Sequence, residues 1–319
     1  MLKKAAALLF ICASMATWVG CGSTSSRYLY AAIPGSNDIV AYREDPNTGV
    51  LTQLVGSPIS AGQSVHALAM HPSGKFLYAA NSGEGDVSLY TISTAGTLTE
   101  VTPRTNVGIA PTVLALDATG GFLYVGNSGS FDVSVFSVDS STGALTPVGN
   151  SFPIGMVPNN MQLSPSGGIL YVTGGGNPGL IEAFSLSQGL PGVITGSPFF
   201  TGNSPYGLTI SADGSFLYTA NKLDSTISEF PIAADGSLSG TGSALGETFT
   251  GPLALLIDKS GKYMYVANQA SSNLAAYSVG SDGTLTLLTG SPFGTGSNPS
   301  VLAGDSSGKY LFVVARLHR

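Results

Sequence analysis

Seven aromatic residues divide this chain at nearly equal intervals. Tyr30, Tyr78, Tyr124, Tyr171, Tyr218, Tyr265 and Phe312 stand 48, 46, 47, 47, 47 and 47 residues apart. Most close a short apolar run that follows a glycine, as in Gly74-Lys75-Phe76-Leu77-Tyr78 and Gly214-Ser215-Phe216-Leu217-Tyr218. A repeat of this length means that no unit buries its own faces and each must stack on its neighbours.

The unit contains four strand signals. The first, A, is apolar, as in Val113-Leu114-Ala115-Leu116. A tight turn follows, opened by His, Asp or Ser and closed by Gly, as in Asp117-Ala118-Thr119-Gly120. Such residues start turns through side-chain bonds to the backbone, and Gly supplies the positive φ. Strand B is the aromatic run. Strand C alternates apolar and polar, as in Asp86-Val87-Ser88-Leu89-Tyr90, the mark of a half-buried strand. A Gly-x-Leu turn such as Gly96-Thr97-Leu98 leads into strand D.

Four antiparallel strands per unit of 40–50 residues, repeated around a ring, predict an all-β fold of the β-propeller type. The aromatics on strand C (Tyr42, Tyr90, Phe136, Phe184, Phe230 and Tyr277) are expected to pack between blades, with an aromatic ligand cage as the alternative. Strand A is legible six times, B seven, C six and D six. The chain thus reads as B-C-D at its start and A-B at its end. A seven-bladed ring with an incomplete last blade is expected, and six-bladed closure is the alternative.

Composition limits the function. Of 319 residues, 43 are Gly and only 9% are charged, with 12 basic against 18 acidic side chains. No Lys/Arg cluster follows the first four residues, so a nucleic-acid surface is not expected. No His-x-His, His-Glu-x-x-His or EF-hand spacing occurs, so no metal site is expected. Gly174, Gly176 and Gly179 match the dinucleotide pattern formally. They lead into another strand signal, Leu180 to Phe184, and not into the helix that a phosphate-binding loop needs. No Gly-x-Ser-x-Gly elbow is present, and no cofactor is expected.

Residues 1–21 read as an export signal. Lys3 and Lys4 precede an apolar run from Ala5 to Met15 that is short for a membrane span. Trp18-Val19-Gly20-Cys21 with the Ser/Gly-rich residues 22–26 then resembles a bacterial lipoprotein cleavage site, with Cys21 as the lipidated residue and 22–26 as a tether. Trp18 departs from that pattern, which usually has Leu, Val or Ile. Plain secretion is the alternative. Cleavage before Cys21 leaves ten basic and eighteen acidic residues and a single cysteine, so no disulfide within the chain. Residues 27–319 then form one propeller domain. Exported to the periplasm or cell surface, it is expected to be a monomer that meets the membrane only through its lipid.

The runs His71-Pro72-Ser73-Gly74-Lys75-Phe76-Leu77-Tyr78-Ala79-Ala80-Asn81 and Gly261-Lys262-Tyr263-Met264-Tyr265-Val266-Ala267-Asn268 resemble the lactonase-type propeller family. That family includes 6-phosphogluconolactonase and surface proteins with Tyr-Val-Thr-Asn repeats. The resemblance covers residues 27–315. It implies a seven-bladed ring and, in the enzymatic branch, a His on an early strand A, a Pro-Arg-His on a later one, and an Asn-Glu-Leu-x-Ser after strand B. This chain has Ser64-Val65-His66, Pro205-Tyr206-Gly207 and Asn221-Lys222-Leu223-Asp224-Ser225 at those places. Only His66 survives as a candidate catalytic residue.

In such a ring the D–A and B–C loops share one mouth of the central channel. His66, Asn81, Asn127, Tyr206, Asn221, Lys222 and Asn268 are the candidates there, with Glu84, Asp86 and Asp224 as a negative rim. The asparagines either shape the loops or bind a sugar, lactone or peptide. The first expectation is a lipid-anchored, lactonase-like module that binds at the envelope surface. A sugar-lactone hydrolase using His66 and a purely structural surface repeat are the alternatives.

Overall fold

The computed structural model describes residues 9–10, 18–23, 26–240, 243–245, 249–305 and 307–316; side chains are described for 27–240, 249–305 and 307–315. Among the described residues, six antiparallel sheets and one three-stranded sheet follow one another along the chain; each of the six has four strands in sequence order, and four of them carry a further short strand on the third. The second blade is typical. Its strands are Val65–Met70, Phe76–Asn81, Asp86–Ile92 and Leu98–Asn106, paired in sequence order from the innermost outward. Innermost strands of successive blades lie side by side and close the ring.

Two blades depart from the strand count read in sequence. The first blade has an A strand, Trp18–Ser23, paired antiparallel with Ser26–Ile33. Among the described residues seven A strands are therefore present, not six, and the additional one spans the expected cleavage site. The remaining residues of the expected export signal lie outside the described set, apart from Leu9–Phe10. The seventh blade consists of Ser297–Gly304 and Leu311–Arg316, with Leu9–Phe10 parallel to the latter. Its innermost strand abuts Trp18–Ser23, so a seventh, incomplete blade completes the circle.

Local chemistry explains the elements. In the A–B turns, Asp117 Oδ1, Asp258 Oδ1 and Asp305 Oδ1 accept the amides of Phe122, Tyr263 and Tyr310 five residues on, at 2.8, 3.0 and 2.7 Å. Ser164 and Ser211 do the same with their hydroxyls. In the second blade His71 opens the turn, and Ser73 N donates to its Nδ1 at 3.1 Å. Strand B is buried on both faces, because a blade lies on each side: every residue of Phe76–Asn81 is buried. The six strand-C aromatics are also buried, from 0% exposed at Tyr90 and Phe230 to 7% at Tyr42. They form the inter-blade core and no cage.

A second repeat ties the blades together. The strand-B tyrosine donates its hydroxyl to the carbonyl of the glycine in the C–D turn of the next blade. Tyr30 reaches Gly96 O at 2.7 Å, Tyr78 reaches Gly143 O at 2.8 Å, Tyr171 reaches Gly236 O at 2.8 Å, and Tyr218 reaches Gly283 O at 2.7 Å. The side chain two residues earlier lies on the same glycine. A methyl added at Gly143 would fall 2.8 Å from the Phe76 ring, and its φ of 75° already disfavours any side chain.

Candidate functional site

Strand A opens at the mouth with a one-residue irregularity in five blades. Pairing shifts between Val65 and Ala67, Pro111 and Val113, Pro158 and Asn160, Pro205 and Gly207, and Pro252 and Ala254. A bulge of this kind re-aims one side chain. The side chains so placed are His66, Thr112, Asn159, Tyr206 and Leu253, all half-buried. Ser64, Ala110 and Ser204, two residues upstream of three of them, hold φ between 51° and 54°. Strain of this type persists only where the surroundings enforce it; Asn37 Oδ1 does so in part by accepting Ser64 N at 2.7 Å.

The structure therefore brings His66 and Tyr206 to equivalent places on different blades, and adds Thr112 and Asn159. Burial lowers the pKa of His66, which favours the neutral imidazole. Lys222 lies over the Tyr206 ring, 5.1 Å from its centre. Asn160 Nδ2 donates to Tyr206 O at 3.1 Å and Asn159 Nδ2 to Pro205 O at 3.0 Å, fixing the fourth blade to the fifth at the mouth.

The four candidate asparagines are elsewhere: Asn81, Asn127, Asn221 and Asn268 are all 0% exposed. Their amides turn into the blade and lock the B–C hairpin. Asn81 Nδ2 donates to Asp86 Oδ1 and Ser88 Oγ at 2.6 and 2.9 Å; Asn127 Nδ2 donates to Asp132 Oδ1 and Ser134 Oγ at 2.7 and 3.0 Å. Asn221 donates to Thr226 and Ser228, and its oxygen accepts the Thr201 and Thr219 hydroxyls. Asn268 donates to Asn273. An amide ring presented to a ligand at the mouth is not what these side chains form.

The carboxylates of the expected negative rim are each engaged locally, Glu84 and Asp86 by a cation and Asp224 by neutral donors. Arg104 donates to Glu84 Oε2 at 2.5 Å and to Glu100 Oε1 at 2.7 Å, and lies 3.9 Å from Asp86. Asp224 accepts the backbone and side-chain nitrogens of Asn203. One carboxyl escaped the sequence reading. Glu182 stands on strand C of the fourth blade (Gly179–Ser187) where the second, third and fifth have Ser88, Ser134 and Ser228, and Gly174 replaces the asparagine that would bond it. Flanked by Leu180 and Phe184 on the face toward the third blade, it is pushed by burial up to about 7. The paired exchange of Asn for Gly and Ser for Glu was the available signal. Among the described residues, no cluster of three or more His, Cys, Asp or Glu could hold a metal ion.

The family model for the lactonase, 7-bladed beta-propeller matches residues 55–158, 155–254 and 247–318. The chain belongs to this lactonase family. Solved structures agree on the fold. A proposed 6-phosphogluconolactonase from Bacteroides fragilis superposes with a TM-score of 0.76 at 19% identity, over 91% of this chain and 86% of that one. A second, from Bacteroides uniformis, gives 0.74 at 19%, over 88% and 85%. The periplasmic gluconolactonase of Pseudomonas aeruginosa gives 0.65 at 20%, over 87% and 86%. Comparison with curated proteins returns no significant match. Pro205-Tyr206-Gly207 stands where the resemblance implies Pro-Arg-His, and there Lys222 lies over the Tyr206 ring.

Proposed function

We propose that this lactonase-family propeller is exported, is anchored through Cys21, and binds an uncharged sugar lactone at the channel mouth. The observation that carries the reading is the set of half-buried bulged positions: His66 and Tyr206 offer an uncharged imidazole and a ring face, and Asn159 keeps its amide oxygen, while the Thr112 hydroxyl is buried. A phosphorylated ligand calls for a bidentate guanidinium, and Arg104 is already held by Glu84 and Glu100. Two solved relatives in fold are proposed 6-phosphogluconolactonases and one is a gluconolactonase, which supports the lactone as ligand class.

A second reading, that the lactone is opened, is favoured by His66. Ring opening needs a base for water and donors for the developing oxyanion. A half-buried imidazole kept neutral by its surroundings can accept that proton, with Lys222 as a cation close to Tyr206.

Calorimetric titration of the purified protein with gluconolactone and a lactone panel, run beside a pH-stat assay, tests both readings. Binding weakened tenfold or more by Tyr206→Ala is expected. Turnover that falls by ~10²-fold in His66→Ala, the lower range for losing a general base, establishes the hydrolase. Absence of binding by every lactone removes the proposal. Metabolic palmitate labelling that is abolished by Cys21→Ala is the expected result for the anchor; label independent of Cys21 removes it.

A further inference from the structure

The fold separates the chain's two ends of interest. Strand A runs from the mouth to the opposite face, here called the base, so every A–B and C–D turn is at the base. The hairpin joining Trp18–Ser23 to Ser26–Ile33 is such a turn. Cys21 pairs with Tyr28, two residues from the Ser23–Ser26 pair that ends this hairpin. At about 3.3 Å per residue the backbone of Cys21 is within ~7 Å of the base end of its strand. Cleavage before Cys21 removes residues 18–20 of that strand, but strand B of the first blade still begins at the base with Ser26; the short link from Cys21 to Ser26 therefore leaves the ring from the base, beneath the first blade, and not from the mouth.

The base has a charge asymmetry that is independent of the cysteine. Lys259 and Lys262 of the sixth blade, Lys309 of the seventh, Arg43 of the first and Lys75 of the second are all exposed at or beside base turns. These four blades are consecutive around the closed ring. The same half carries the outer carboxylates Asp45, Asp258 and Asp282. The opposite half, blades three to five, carries Asp117, Asp139, Asp213 and Asp235 at its base turns and no base cation. The anchor point lies in the middle of the basic half. Basic patches beside a lipid anchor add attraction to an anionic leaflet.

We infer that the basic half of the base, blades six, seven, one and two, lies against an anionic membrane surface while the channel mouth faces away from it. This rests on the Cys21 anchor proposed above. The ligand site then opens to the aqueous side, and the acidic half of the base tilts away from the lipid.

The test uses full-length lipidated protein in vesicles containing one quarter anionic phospholipid and nitroxide-labelled headgroups. An environment-sensitive fluorophore is placed at Ser260→Cys on the base or at Leu223→Cys on the mouth. Quenching at the base at least about threefold stronger than at the mouth is expected. The difference should shrink by half or more with Lys259→Glu/Lys309→Glu, or in purely zwitterionic vesicles. Palmitate-labelled protein with equal quenching at both sites, or stronger quenching at the mouth, overturns the orientation and leaves the anchor standing. Protein without Cys21-dependent palmitate that fails to float with vesicles overturns the anchor and this inference together.

Discussion

The seven junctions between blades are not all alike. Four of them, first to second, second to third, fourth to fifth and fifth to sixth, use the same buried bond from a tyrosine hydroxyl to a turn glycine about 65 residues on. The closing junction, seventh to first, cannot. Its strand-B aromatic is Phe312, which has no hydroxyl. Tyr310, two residues earlier, keeps its ring on Gly49 and donates its hydroxyl to Asn47 O at 2.5 Å. Beside it Arg27 donates to Glu44 Oε1 at 3.1 Å and to Asp305 Oδ2 at 2.8 Å. Both carboxylate side chains are almost fully buried, at 1% and 0% exposed. A regular junction is repetitive packing plus one neutral hydrogen bond. The closing junction joins residues 278 positions apart and relies on charge.

This difference predicts where the ring opens. Arg27→Ala strands two buried carboxylates beside each other. Burial already pushes Glu44 up, against the bond from Arg27. Burial also works to raise Asp305, but hydrogen bonds from Ser307, Tyr310 and Lys309 outweigh it and hold that carboxyl low. Loss of a buried partner costs about 3–5 kcal/mol, so urea unfolding of Arg27→Ala should show the largest destabilisation of any single change discussed. A cost below about 1 kcal/mol would mean that strand pairing alone closes the ring. Gly143→Ala comes next, at about 2 kcal/mol. A left-handed φ and the nearby Phe76 ring both oppose the methyl, whereas Gly35→Ala, with open space around it, should be close to neutral.

A smaller pair of substitutions exchanges the two kinds of junction. Tyr78→Phe removes the bond to Gly143 O and should cost about 1 kcal/mol. Phe312→Tyr supplies the missing hydroxyl at the closing junction and should recover part of such an amount. Equal and negligible shifts in urea midpoint for both would show that ring packing on the glycines, and not the hydroxyl, sets the repeat.

The regular junctions were legible in the sequence because they repeat. The spacing of Tyr30 to Phe312, the turn glycines and the strand-C aromatics each recur in six or seven blades, so one reading fixes many positions. The exceptions were not legible. Arg27 and Asp305 are far apart in sequence, and nothing local in either pairs them. Trp18–Ser23 carries Gly and Cys after an apolar run, the chemistry of an export signal as much as that of an inner strand. The asparagines were placed correctly at the end of strand B, but periodicity does not say which way an amide turns. Burial among Asp86, Ser88, Asp132 and Ser134 decides that. His66 and Tyr206 share their place at the mouth because of the bulge, which shows only in the pairing register.

The third-to-fourth junction is a further exception and gives the finest test. Tyr124 makes no bond like that of Tyr78, and Gly174 and Glu182 replace the usual Asn–Ser lock. Glu182 faces the Leu170, Val172 and Phe184 cluster between the two blades. Its folded pKa of about 7 is above the ordinary value of 4.5. The folded state therefore holds a proton that the unfolded chain has lost between those values. By linkage, the contribution of Glu182 is fully present below pH 4.5 and is lost as pH rises through 7. Because the side chain is partly solvated, the effect is discounted to a shift of about 2 °C in Tm across that window. Glu182→Gln should remove this slope and match the wild type near pH 5. Thermal unfolding of both proteins at half-unit steps from pH 4.5 to 8 measures it. Parallel curves would place the carboxylate in water at every pH and would make the third-to-fourth junction no weaker in charge than its regular neighbours.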